Sequence, residues 1–324
     1  MSTDTSPGPA PASAPPTAAS TKPVVQPGDR IFAGLARAAG ILILLALAAV
    51  AAFLIIQALP AIAAPAEDIP GGEGLVVYIW PLIFGTLLSS IIALIIATPL
   101  AVAVALYISH FAPRQVAQSL GYLVDLLAAV PSIVYGLWGV YTLAPATFGL
   151  ATWLNTYLGW IPLFAGPVST TGRTMFVVGL TLAVMILPII TSVAREVFLQ
   201  TPKLHEEAAL ALGATRWEMI KMAVLPFGRS GIISGAMLGL GRALGETMAV
   251  AIILSVGGAI TFNLISSGNP SSIAANIALQ FPEATGVTLS TLIASGLVLF
   301  IITLGVNSLA RYIINRRREF SGAN

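Results

Sequence analysis

The chain has 324 residues, 57 % of them hydrophobic and 9 % charged, with a formal net charge of +2 and a mean hydropathy of +0.93. Soluble domains carry about 25 % charged residues, so the composition excludes a soluble globular protein and marks an integral membrane protein. With no cysteine in the chain, disulfides, thiolate zinc sites and cysteine nucleophiles are excluded as well.

Residues Met1 to about Gln26 are mainly Pro, Ala, Ser and Thr. Such a segment buries too little apolar surface to offset its ordering entropy, so residues 1–30 are expected to form a disordered cytoplasmic tail. Apolar stretches follow at Leu35–Leu59, Tyr78–Ile108, Leu120–Leu143, Met175–Phe198, Gly231–Phe262 and Val287–Ile314. Each is long enough to cross a bilayer as a helix, which takes about 20 residues, and none alternates in polarity like the roughly 10-residue strands of a membrane barrel. The expected fold is therefore an all-α membrane protein with six transmembrane helices. Residues 31–315 make one membrane domain and residues 316–324 a C-terminal tail. Ala61-Ile62-Ala63 looks like a signal-peptide cleavage site, but the apolar run before it exceeds the roughly 7–15 residues of a signal sequence, so the first stretch reads as a retained span. Pro99, Pro131 and Pro188 fall within helical stretches and predict kinks.

Lys and Arg collect on one side of these spans: Lys22, Arg30 and Arg37, then Arg114, then Arg195, Lys203, Arg216, Lys221 and Arg229, then Arg311, Arg316, Arg317 and Arg318. The opposite loops carry Glu67, Asp68, Glu73 and Glu283, with Arg173 the basic exception. By the positive-inside rule both termini are cytoplasmic, and residues 199–229 form the largest cytoplasmic loop. The triple arginine at 316–318 follows a span directly, which suits a topology determinant near anionic lipid better than a nucleic-acid patch.

In that loop Thr201 is placed to cap a helix with Pro202 at its first position and acidic residues early, and Gly213 is placed to stop it. The Ala208-Ala209-Leu210-Ala211-Leu212 run gives a small apolar face suited to another protein's groove. Beyond the loop, Gly239-Leu240-Gly241-Arg242-Ala243-Leu244-Gly245-Glu246 sets two charges inside an apolar stretch. Each costs roughly 2.5 kcal/mol or more near the bilayer centre, so such residues face a protein interior or a water-filled path. On a continuous helix Arg242 and Glu246 are one turn apart and able to pair. Gly231, Gly235 and Gly239, and likewise Gly241 and Gly245, recur every four residues, the pattern of close helix packing, so a structural lock between helices is the alternative to a site. Asp125 is a second candidate intramembrane carboxylate.

Glu207-Ala208-Ala209, Gly213 and Leu225-Pro226 together resemble the EAA loop of permease subunits of binding-protein-dependent ABC importers, although Ala223 stands where the family usually has a larger apolar residue. The stretches Asp125–Gly139 and Leu238–Met248 are similar to the phosphate ABC transporter permease family, closer to its PstC-type than its PstA-type subunit. The resemblance implies the type I importer permease fold, with Glu207, Ala208, Ala209, Gly213, Leu225 and Pro226 coupling to a separate ATPase. It implies as partners a PstA-like second permease, a PstB-like ATPase dimer that uses ATP and Mg, and an extracytoplasmic PstS-like phosphate-binding protein. No cofactor or metal is expected on this chain itself.

The residues agree with an oxyanion in the membrane path. A guanidinium presents five donors in a planar fork suited to tetrahedral oxygens. Arg242 is expected to meet substrate, while Glu246 either holds the arginine or accepts a hydrogen bond from protonated phosphate. None of Lys22, Lys203 and Lys221 follows a glycine, so a Walker A loop is absent and this chain is not the ATPase. His110 and His205 do not form a zinc-protease motif, and no Gly-x-Ser-x-Gly elbow occurs. A permease for sulfate or molybdate, an ion-coupled secondary transporter and a membrane scaffold or sensor remain the alternatives.

Overall fold

The computed structural model describes residues 27–254 and 259–318, so most of the proposed N-terminal tail and residues 319–324 lie outside the described residues. Among those residues the regular secondary structure is helical, with six helices long and apolar enough to cross a membrane: 28–63, 75–111, 132–158, 175–199, 216–244 and 286–312. The chain divides into two units, Met1–Val50 and Ala51–Asn324. Helix α1 (Pro27–Ala63) begins before the expected tail boundary, and from Gly28 to Val50 its side chains are all exposed. A helix apolar all round suits lipid.

In the second unit the core is built on α2 (Leu75–Leu106) and α6 (Met175–Leu199), whose mutual contact is the most extensive in the fold. Ala93, Ala97, Ala101 and Ala105 stand one helical turn apart on α2 and are wholly buried. This stripe of small side chains lets the two backbones approach, which in lipid replaces the hydrophobic driving force with van der Waals packing. Helix α9 (Leu225–Leu244) packs on α6 by the same device. Gly228 lies under the Phe198 ring and Gly231 under Val197, while side chains added at Gly235 and Gly239 would stand 3.2 Å from Val193 Cβ and 3.0 Å from Ile190 Cγ1. The expected glycine stripe is thus a seam within this chain. Gly241 and Gly245 do not extend it, since a Cβ at Gly241 would have no neighbour within 4 Å and one at Gly245 only the Gly241 carbonyl at 3.7 Å.

The third span differs from the expected Leu120–Leu143. A separate helix α3 (Arg114–Ala128) ends at Ala129, and the spanning helix starts as α4 (Ser132–Trp138) and continues through a π-helical turn (Gly139–Leu143) into α5 (Ala144–Leu158). Pro131 explains the break: it has no N–H to donate and pushes Val130 out of helical conformation. Pro99 and Pro188 lie inside α2 and α6, which run through them. Two π turns, Gly139–Leu143 and Ile220–Val224, end two residues before Pro145 and Pro226, where the wider turn accommodates the proline ring and the missing donor.

The fifth span also differs from the expected Gly231–Phe262. Helix α7 (Lys203–Ala211) and α8 (Arg216–Met219) lead through the Ile220–Val224 turn into α9, which stops at Leu244. A short helix α10 (Met248–Ile253) follows. Residues 259–272 are then non-helical, and their backbone is satisfied by the α5–α6 connection: Ser169 N–H donates to Ile265 O at 2.9 Å, and Leu264 N–H to Leu163 O at 2.8 Å. Helix α11 (Ile273–Gln280) is capped by Ser272, and α12 (Gly286–Arg318) closes the fold as the sixth span.

Candidate functional site

Two helix breaks precede half-helices that pack on one another. The first separates α3 from α4 at Ala129–Pro131, and the second separates α9 from α10 at Gly245–Thr247. The half-helices that follow, α4 and α10, cross at Gly136, where a built Cβ would stand 2.9 Å from Ala249 Cα. Only glycine permits backbones this close. Tyr135 spans the first break, its buried hydroxyl donating to Leu127 O at 2.8 Å.

Arg242 sits in the last turn of α9, half-buried and within electrostatic range of Tyr135. Its Nε is buried and has no hydrogen-bond partner. The expected pair with Glu246 does not form, and among the described residues no carboxylate comes within ion-pair distance of Arg242. The cause is the second break. Gly245 ends α9, so Glu246 is no longer one turn up the same helix but precedes α10, where its buried carboxylate accepts the Ala249 N–H at 3.1 Å. Glu246 therefore satisfies an otherwise orphaned donor at the start of α10. Arg242 is left with no carboxylate partner and an unfilled buried donor in the last turn of α9, a condition worth about 1–3 kcal/mol to any group that fills it. Asp125 lies exposed on α3, which is not among the six helices long and apolar enough to cross a membrane. Arg173 is exposed just before α6.

The residues expected to couple to an ATPase are grouped on the segment that leads into α9. Pro202, not Thr201, is the N-cap of α7. Thr201 N–H instead donates to Phe198 O at 3.2 Å, which ties Thr201 to the end of α6 with its side chain buried and unpartnered. Gly213 stops α7 as its position suggests, with φ of +84°. Ala214 N–H returns to Ala209 O at 3.2 Å and Gly213 N–H to Leu210 O at 3.0 Å, the paired bonds of a Schellman cap. Ala209 is buried against Ala105, Phe198 and Ile220, whereas Glu207 and Ala208 face outward with Leu204 and Leu212. Helix α8 is fixed by a capping box, in which Thr215 N–H donates to Glu218 Oε2 at 2.8 Å and Glu218 N–H to Thr215 Oγ1 at 3.3 Å. Leu225 is half-buried and Pro226 exposed at the start of α9, so the segment expected to couple and Arg242 are joined by one helix.

Neither Tyr135 nor the approach of His110 Nε2 to Glu206 Oε1 (3.5 Å) is expected from the sequence. The signal for Tyr135 is an amphipathic aromatic four residues after a helix-breaking proline. No local signal joins His110 to Glu206, which are distant in the chain.

Residues 97–319 match the family described as binding-protein-dependent transport system inner membrane component. The chain is 44 % identical over 298 residues to phosphate transport system permease protein PstC 2 of Mycobacterium tuberculosis, covering 88 % of this chain and 91 % of that protein. It is 49 % identical over 256 residues to phosphate transport system permease protein PstC of Mycobacterium leprae, covering 77 % and 79 %. Among solved structures it resembles in fold a bacterial ABC transporter involved in the import of the acidic polysaccharide alginate, with a TM-score of 0.52 and 17 % identity, covering 73 % of this chain and 78 % of that one. With six membrane-crossing helices and a match over most of its length, the chain is a multi-pass inner-membrane protein that belongs to the binding-protein-dependent transport system inner membrane component family.

Proposed function

We propose that the chain is the PstC-type transmembrane subunit of an ATP-driven importer that moves inorganic phosphate inward by alternating access. The observation that carries this reading is Arg242, a half-buried guanidinium with no carboxylate partner and an unfilled Nε donor beside two helix breaks. A tetrahedral oxyanion supplies both missing elements, negative charge and acceptor oxygens in a fork geometry. Similarity to two proteins named as phosphate transport system permeases favours phosphate over sulfate or molybdate.

The partners follow from what this chain lacks. Without a Gly-Lys pair it has no phosphate loop of its own, so ATP and Mg are used by a PstB-like ATPase dimer docked on the outward face of α7 around Glu207, Ala208 and Leu212. A PstA-like permease completes the path and a PstS-like protein delivers phosphate from the far side. The Lys and Arg distribution puts the loop at 199–229 and both termini in the cytoplasm. ATPase closure pushes on α7 and α8, α9 transmits the movement, and the breaks at Pro131 and Gly245 allow the half-helices to reorient around Arg242 while Glu246 holds α10. Ground-state affinity at Arg242 must stay moderate, since an anion bound too tightly is not released.

The test is uptake by the complete complex in proteoliposomes. Phosphate uptake that requires both ATP and the binding protein is expected. Preference for sulfate or molybdate would overturn the substrate, and uptake by this chain alone under an ion gradient would overturn the importer reading.

A further inference from the structure

Helix α2 ends in a π-helical turn, Tyr107–Phe111, that faces the coupling segment. His110 in this turn is largely buried, with its side chain 10 % exposed, and its Nε2 lies 3.5 Å from Oε1 of Glu206 on α7, whose side chain is 24 % exposed. On the other edge of the ring, Nδ1 lies 2.7 Å from the Ser109 hydroxyl, which in turn reaches Ala105 O at 2.8 Å. A hydroxyl has one proton. If Ser109 gives it to the Ala105 carbonyl, the back-bond that a helical serine commonly makes, Nδ1 must donate to Ser109 Oγ. A neutral ring then turns a lone pair at Nε2 toward a carboxylate, so every contact is satisfied only when both ring nitrogens carry protons. The other charged groups on the elements around this turn are Arg114 and Asp125 on α3, Arg195 and Glu196 on α6, and Lys203, His205 and Glu207 on α7. Among the described residues none of these comes within ion-pair distance of His110.

We infer that His110 is a positioning residue for energy coupling: through Glu206 it ties the coupling helix to α2, so movement of α7 drives the α2–α6 shaft as well as α9. Without this tie, α7 is held to the rest of the fold by the small apolar patch at Ala209 and by its chain connections. Helix α2 reaches the opposite end of the fold, where Thr86 Oγ1 accepts the Ile273 N–H at 2.9 Å and so meets the start of α11. A push on α7 therefore reaches both ends of the path. Because a charged imidazole makes the tie, coupling weakens as the ring loses its proton.

The inference rests on α7 being the ATPase-docking segment, and the experiment separates the two. The complete complex is purified as wild type, His110→Gln, Glu206→Gln and His110→Lys, and phosphate transported per ATP hydrolysed is measured between about pH 6 and pH 8, the range in which histidine changes charge. Wild type is expected to transport less per ATP as pH rises. His110→Gln and Glu206→Gln are expected to lose about tenfold in transport per ATP at the acid end, the equivalent of one charge-assisted hydrogen bond, with the pH dependence flattened. His110→Lys keeps the charge and is expected to retain coupling without the pH dependence. Equal coupling ratios and pH profiles in all four complexes would overturn the inference, as would failure of His110→Lys to restore what His110→Gln loses. Failure of the ATPase to co-purify with wild type would overturn the docking assignment, and this inference with it.

Discussion

The crossing of α4 and α10 at Gly136 gives a sharp prediction. A methyl group added there would lie 2.9 Å from Ala249 Cα and 3.2 Å from Ile252 Cδ1. The isoleucine tip can rotate away, but the backbone atom cannot. Carbon atoms prefer about 3.5–4.0 Å, so Gly136→Ala must push the half-helices apart by roughly 0.6 Å or more. Overpacking of this kind costs about 1–3 kcal/mol. The control is Gly149→Ala in α5 of the same span, where an added methyl meets nothing within 4 Å and gains helix propensity of about 1 kcal/mol. Thermal melts of the purified complex in mild detergent should place Gly136→Ala below wild type and Gly149→Ala at or above it. Gly136→Ala should also slow uptake, because separating the half-helices moves Tyr135 relative to Arg242. If the two alanine variants melt together and transport alike, the close crossing is not what fixes this region.

Glu246 separates by what replaces it. Gln retains an acceptor for the Ala249 N–H and should keep most uptake, whereas Ala leaves that donor orphaned and should lose about 1 kcal/mol of stability along with uptake, read as initial rate at equal membrane levels. The opposite result, with Gln as damaging as Ala, would favour a role for the carboxylate charge in handling protonated phosphate. Gly213→Ala tests the loop, because its positive φ disfavours any side chain by roughly 1–2 kcal/mol although no atom lies within 4 Å to obstruct one. Reduced recovery of the ATPase on affinity purification is expected, with unchanged membrane abundance of the permease.

The six spans were legible because a bilayer imposes about 20 apolar residues on each, a signal no loop imitates. What hydropathy does not register is a break inside an apolar run. Leu120–Leu143 and Gly231–Phe262 each read as one helix, yet Val130-Pro131 and Gly245-Glu246-Thr247 carry ordinary stop and start chemistry: a proline that cannot donate, and a glycine end followed by a side-chain acceptor for the next helix. Missing the second break had a chemical consequence, since the pairing of Arg242 with Glu246 depended on a continuous helix. The glycine spacing in α9 announced close packing, but identifying its partner as α6 required Phe198, Val197, Val193 and Ile190 to be placed in space. The Gly213 stop was readable because it depends on the backbone alone. Thr201 was not readable as tied back to the end of α6, because its cap-like neighbour Pro202 gives the same local pattern in either role.

The account depends most on Arg242 meeting the transported anion, and the direct measurement is ATP-dependent phosphate uptake by complexes carrying Arg242→Gln. Glutamine keeps polarity and approximate length but removes the charge and the fork. With normal membrane levels and ATPase recovery, the initial rate is expected to fall by roughly ten- to a hundredfold, the loss of a charge-assisted bidentate contact. Uptake at the wild-type rate in that complex would contradict the assignment and leave Arg242 as a structural residue of the helix break.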